Sequence, residues 1–276
     1  MTLLIFFLLL NQILSNQLSV SAKPIDAKQG YLTPKLDEVS PAKANQVLQG
    51  AIVLSRSIVT SKRLKAVSNN LKTGVNFDEK NLPKENQTIQ WYPIPKWLAG
   101  EWCRKTERIL SKDNMYTSSP EFMSQVTIMQ GLQLDKDKNI WNYHSSPSIT
   151  TINGSNISVK NIMVHYEILS KDNHKFITKT RSIQICINKM TNLIAKVQQN
   201  EIVSITQPLN NTQNQTYSKV QWYNEEGFYL SNDERVSVAT KIKDFEIQPE
   251  LENGENAFES FKNYLTKVGL SYLIPR

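Results

Sequence analysis

Glycine is scarce in this chain of 276 residues, with nine in all, and that is little material for loop-built catalytic machinery. No phosphate-cradling glycine loop or nucleophile elbow can be found. Histidine is rarer still: His144, His165 and His174 stand at no metal-ligand spacing, so no zinc signature is present and neither a metal nor a cofactor is expected. The two cysteines, Cys103 and Cys186, form no Cys-x-x-Cys. A catalytic set assembled from distant positions leaves no mark in one sequence, so catalysis is left unassigned rather than excluded. Acidic charge is also short, and the deficit is local. From Lys23 to Lys72 nine basic residues face only Asp26, Asp37 and Glu38, whereas the rest of the chain is nearly neutral against a total of +7. A nucleic-acid-binding main domain would need its basic residues grouped on one face, and the body of this chain has no such surplus.

What is present begins with the apolar run Leu3 to Leu10, followed by Val20-Ser21-Ala22, which reads as a signal-peptidase site. The run stops at Asn11 and Gln12, short of the roughly 20 apolar residues of a membrane span, although no Lys or Arg precedes it. Residues 1–22 are therefore expected to be a signal peptide, and the protein to be exported to a periplasm, a thylakoid-type lumen or the extracellular space. Residues 23–90 form a basic extension. Within it Ser40-Pro41 opens a helix, and Val47, Leu48, Ala51, Ile52, Leu54 and Ile58 follow at helical spacing up to about Val59. Docking on the parent domain is one use of that stripe; peripheral contact of residues 41–65 with an anionic membrane or protein is the other. Residues 66–90 read as a polar linker.

From Trp97 onward the apolar period changes to two. Runs near 98–110, 121–134, 138–145, 157–169, 175–187, 193–206, 216–223 and 234–247 predict about eight strands joined by short turns such as Asp135 to Asn139. Short hairpins make an antiparallel meander, and closure into a barrel removes its edges. Residues 91–276 are thus expected to be an up-and-down barrel, ending in a helix over Asn256 to Gly269. Asn210 to Thr216 reads as a flexible loop.

Lys96-Trp97-Leu98-Ala99-Gly100-Glu101-Trp102 contains the Gly-x-Trp that opens the first strand of lipocalin-like (calycin) barrels. Together with Asn139-Ile140-Trp141-Asn142-Tyr143-His144 and Phe261-Lys262-Asn263-Tyr264-Leu265, it resembles exported lipocalin-like proteins of photosynthetic bacteria over about residues 95–270. The resemblance implies that Gly100 and Trp102 close the barrel floor and that Arg235, from the last strand, packs across the indole. The long basic extension departs from that family.

Strict alternation puts Trp102, Arg104, Thr106 and Arg108 on one face, so two guanidiniums accompany the indole inward and could grip a carboxylate or phosphate. A bulge after Trp102 would instead turn them to solvent or to Glu partners. His165 is either a cavity residue or an ordinary surface histidine. Cys103 and Cys186 are either a long-loop disulfide or two buried thiols. Two functions follow: a barrel that binds a small apolar or amphipathic ligand, with Trp102, Arg104, Arg108 and His165 as candidate contacts, or a non-catalytic assembly protein whose barrel is a packed scaffold.

Overall fold

A computed structural model describes residues 40–85, 88–113, 115–116 and 122–275. The segment expected to be a signal peptide and the start of the basic extension lie outside the described residues. Helix α1 spans Pro41–Ser57, with the Lys43 backbone N–H donating to the Ser40 hydroxyl at 3.3 Å and Pro at the first turn. Twelve strands follow: β1 Thr88–Ile94, β2 Gly100–Lys112, β3 Met115–Tyr116, β4 Phe122–Gln130, β5 Gln133–Leu134, β6 Ile140–Ser146, β7 Ser148–Asn153, β8 Ile157–Lys171, β9 Phe176–Asn188, β10 Ile194–Pro208, β11 Gln213–Tyr223 and β12 Tyr229–Lys243. Helix α2, Ala257–Lys267, closes the chain, capped by Asn256, whose side chain accepts from the Glu259 N–H.

The protein is mainly β, as the period-two pattern predicts. The main sheet runs β4-β2-β12-β11-β10-β9-β8-β7, with β3 also on β2, and is antiparallel throughout. It curls into a half-barrel. Among the described residues its ladder does not close on itself: a three-stranded sheet, β1-β6-β5, stands in the opening, tethered by the short connections β4 to β5 and β6 to β7. Strand β1 falls outside the expected strands, which begin near residue 98, and it carries Pro93, a residue that does not serve in a central strand. It is tolerated here because β1 is an edge and pairs only with β6.

Cross-strand partners define the two faces. Ile177, Val203, Ile205, Tyr217 and Val236 share the outer face, where Leu48, Ala51 and Ile52 of α1 cover them. The apolar stripe of α1 is thus spent on the sheet, at an order of 1.5–3 kcal/mol for each buried Leu or Ile. Residues 66–85, expected as a linker, are laid along the same face. Val67 and Leu71 cover Ile162, Ile185 and Ile187, and the Val67, Gly74 and Phe77 N–H groups donate to the carbonyls of Glu225, Ile194 and Asn192. Period reading failed there because the segment docks through backbone hydrogen bonds and scattered apolar side chains. Phe261 and Leu265 of α2 pack on Trp91 and Trp141, covering the outer face of the small sheet.

Candidate binding site

Gly100 begins β2 at φ +122°, and a Cβ there would stand 2.5 Å from the Lys243 carbonyl, so this position is closed to other residues. The close approach sets Trp102 against the end of β12. Its indole is buried, its Nε1–H donates to the Leu98 carbonyl at 2.7 Å, and the Lys241 ammonium stands 5.1 Å from its ring. Lys241, the direct partner of Trp102 on β12, takes the place expected of Arg235, which pairs with Ile109 further along the sheet.

Lys105 is a bulge. Arg104 pairs with Ala239 and Thr106 with Val238, so one residue of β2 is extra and the side-chain parity flips. Trp102, Arg104, Glu107 and Ile109 consequently point inward, while Arg108 is exposed on the outer face beside Val236. Of the two arrangements weighed for β2, the bulged one is present: it separates the two arginines, turns Arg108 to solvent and brings a carboxylate inside with Arg104. The guanidinium of Arg104 lies 3.8 Å from Glu107, whose other oxygen is 3.9 Å from Arg235. Arg235 donates through Nε and a terminal nitrogen to Asp233, and the Trp222 Nε1–H donates to the same carboxylate at 3.0 Å. Burial lowers the Arg104 pKa against the pull of Glu107; burial also acts on Arg235, but Asp233 outweighs it and the pKa rises.

Beside this cluster the inner face carries amides on three neighbouring strands. Asn161 on β8 and Gln184 on β9 are direct partners, and Asn200 on β10 pairs with Ser182. All three are buried, and Asn161 Oδ1, Gln184 Nε2, both amide atoms of Asn200 and two nitrogens of Arg104 reach no hydrogen-bond partner. Sequence reasoning missed these residues because they stand opposite the apolar stripe of Ile183, Ile185 and Ile187, which a half-buried pattern gives as the one buried face, whereas here the covering of that face by Val67 and Leu71 leaves both faces buried.

Cys103 and Cys186 are free and buried, on β2 and β9, with β12, β11 and β10 between them in the ladder. A disulfide needs Cα atoms within roughly 7 Å, so this pair is not bridged. Burial raises the pKa of both thiols.

His165 is half-exposed, 3.6 Å from Glu167, and lies on the wall of a cleft of about 770 Å³ outside the inner face. The cleft runs between residues 90–93 of β1 and residues 165–171 of β8, with Tyr264 and Leu270 on its rim. At its floor the Tyr92 and Tyr166 hydroxyls meet at 3.1 Å and their rings stack at 5.6 Å. Burial pushes Tyr92 up to about 12, so both phenols stay protonated. The His144 ring lies tilted against Tyr166 at 4.3 Å between centroids; burial, with a smaller push from His165, lowers its pKa to about 4. Among the described residues no group of acidic, histidine or cysteine side chains could hold a metal ion. No family model, curated protein or solved structure is similar to this chain, so the reading of the site rests on its own geometry.

Proposed function

We propose that this chain is an exported, non-catalytic binding protein whose lipocalin-like half-barrel is a packed scaffold, and that it engages its partner at the cleft between β1 and β8. One observation carries the reading: the inner face is filled by the Arg104, Glu107, Arg235 and Asp233 cluster and by buried amides, while the roomy cleft lies outside it. A cleft of several hundred Å³ with aromatic walls and a few polar groups has the character of a recognition site. Export rests on the apolar run at Leu3 to Leu10 and on Val20-Ser21-Ala22.

Native mass spectrometry of the chain purified from its exported fraction tests this. The expected mass is that of the polypeptide from Lys23 alone. A co-purifying lipid or pigment that leaves on denaturation would move the binding site into the barrel. That second reading is favoured by the partnerless atoms of Asn161, Gln184, Asn200 and Arg104, whose chemistry suits a polar or anionic headgroup rather than the apolar ligand first expected.

A further inference from the structure

We infer that the cleft between β1 and β8 takes an extended peptide, added as a strand antiparallel to β8. This names the partner class of the binding reading above and rests on it. The two walls are consecutive residues, 90–93 and 165–171, rather than alternate ones. Side chains of one face would contribute every second residue, so consecutive lining means that the strand edges themselves form the walls.

Both edges are unpaired among the described residues. Strand β8 holds β9 along its whole length, but β7 covers it only from Ser158 to Met163, and β1 pairs with β6 alone. The cause is a fork. Strands β6 and β7 run on from one another, with only Pro147 between them; β7 lies against β8, whereas β6 leaves it and carries β1 in between.

Besides the Tyr92 and Tyr166 contact at the cleft floor, the two edges are bridged at the ends of the gap. Ser146, the partner of Thr88, donates to the Val164 carbonyl at 3.2 Å, and the Trp97 indole just beyond β1 donates to the Asp172 carbonyl at 3.4 Å. The two strands therefore run in the same direction, and one antiparallel strand between them completes ladders on both sides, the more stable pairing. Seven residues of edge span about 24 Å, the reach of a seven-residue extended peptide.

An unpaired row of alternating N–H and C=O groups is met in register only by another polypeptide backbone. Pro93, the bulges at Val164 and Leu169, and Lys171 are the devices that keep such an edge from indiscriminate pairing. Outward side chains of the peptide would lie against Tyr264 and Leu270, so alternate apolar residues are expected in it.

The test pans a phage-displayed library of random 12-residue peptides on the chain from Lys23 to Arg276 and measures the selected peptides by hydrogen exchange and titration. Strand addition slows exchange of the backbone amides of residues 165–171. N-methylation of at least one alternate set of peptide residues lowers affinity about tenfold or more, the effect of one lost hydrogen bond. Tyr264→Lys also weakens binding while leaving the melting curve in place. Peptides that bind with protection elsewhere, or that tolerate both N-methylated sets, overturn the inference and leave a binding cleft of another kind. A library that yields no binder also overturns it, while the native mass measurement judges the wider reading independently.

Discussion

Glu201 sits on the outer face with a fully buried side chain, and it ties the N-terminal segment to the sheet. The Ser61 N–H and hydroxyl donate to its two oxygens at 2.8 and 2.9 Å, Arg181 donates through Nε at 2.7 Å, and Lys179 lies at 3.4 Å. Burial by itself raises the Glu201 pKa; these donors and cations overcome that and hold it below the ordinary carboxylate value. Glu201→Gln should cost roughly 1.5–3 kcal/mol in a urea titration at pH 7, the worth of hydrogen bonds to a charged group. Because the folded pKa is depressed, this stabilisation is present above the unfolded value of 4.5 and fades as the pH falls below it. His144 acts over a higher window. Its folded pKa of about 4 against 6.5 means that the unfolded chain takes up the proton first, so stability declines between pH 6.5 and pH 4, by about 3 kcal/mol in all. His144→Phe keeps a ring against Tyr166 and should flatten that part of the pH profile. The buried thiols give a third expectation: Cys103 and Cys186 should react with a thiol reagent slowly in the native protein and fully in guanidinium.

Bulges decide what the strands present. The alternation of β2 was legible, and a bulge after Trp102 was one of its two readings, but the place of the extra residue at Lys105 was not, since nothing in Cys103-Arg104-Lys105-Thr106 marks it. Deleting Lys105 removes the extra residue without changing which side chains face inward, since Arg104 stays opposite Ala239 and Thr106 opposite Val238. Glu107→Arg, by contrast, sets a third guanidinium against Arg104 and Arg235 in place of a carboxylate, and that variant should be insoluble or melt more than about 10 °C lower, as for a loss of several kcal/mol. The stretch Asn210 to Thr216 shows the opposite error. Its Asn and Thr content reads as a loop, yet β11 begins at Gln213, the Thr212 N–H donates to the Asn210 side chain, and the Thr206 and Thr216 hydroxyls pair across the hairpin at 3.0 Å. Polar residues there are strand residues because each finds a partner across the ladder, which a single stretch of sequence cannot display.

At the scale of the whole molecule the basic extension, in its described part from residue 40, belongs to the fold. Deleting residues 23–72 uncovers Val203, Ile205, Tyr217, Ile162 and Ile185 together, so the truncated chain should bind a hydrophobic dye strongly or precipitate, rather than behave as a free barrel. No described helix is long and apolar enough to cross a membrane. The sequence by itself determined the mainly antiparallel β class, helix α1 with its Ser40 cap, helix α2 with its apolar stripe, and the burial of Trp102, because periodicity and capping are local and survive in one dimension. Only the tertiary structure decided that the sheet stops as a half-barrel with β1, β6 and β5 in its opening, that Glu107 rather than Arg108 accompanies Arg104 inward, that three strands stand between the cysteines, and that a cleft opens between β1 and β8. Those features depend on registers and bulges, and these are set by which distant edges find hydrogen-bond partners, a condition satisfied only once the whole sheet is assembled.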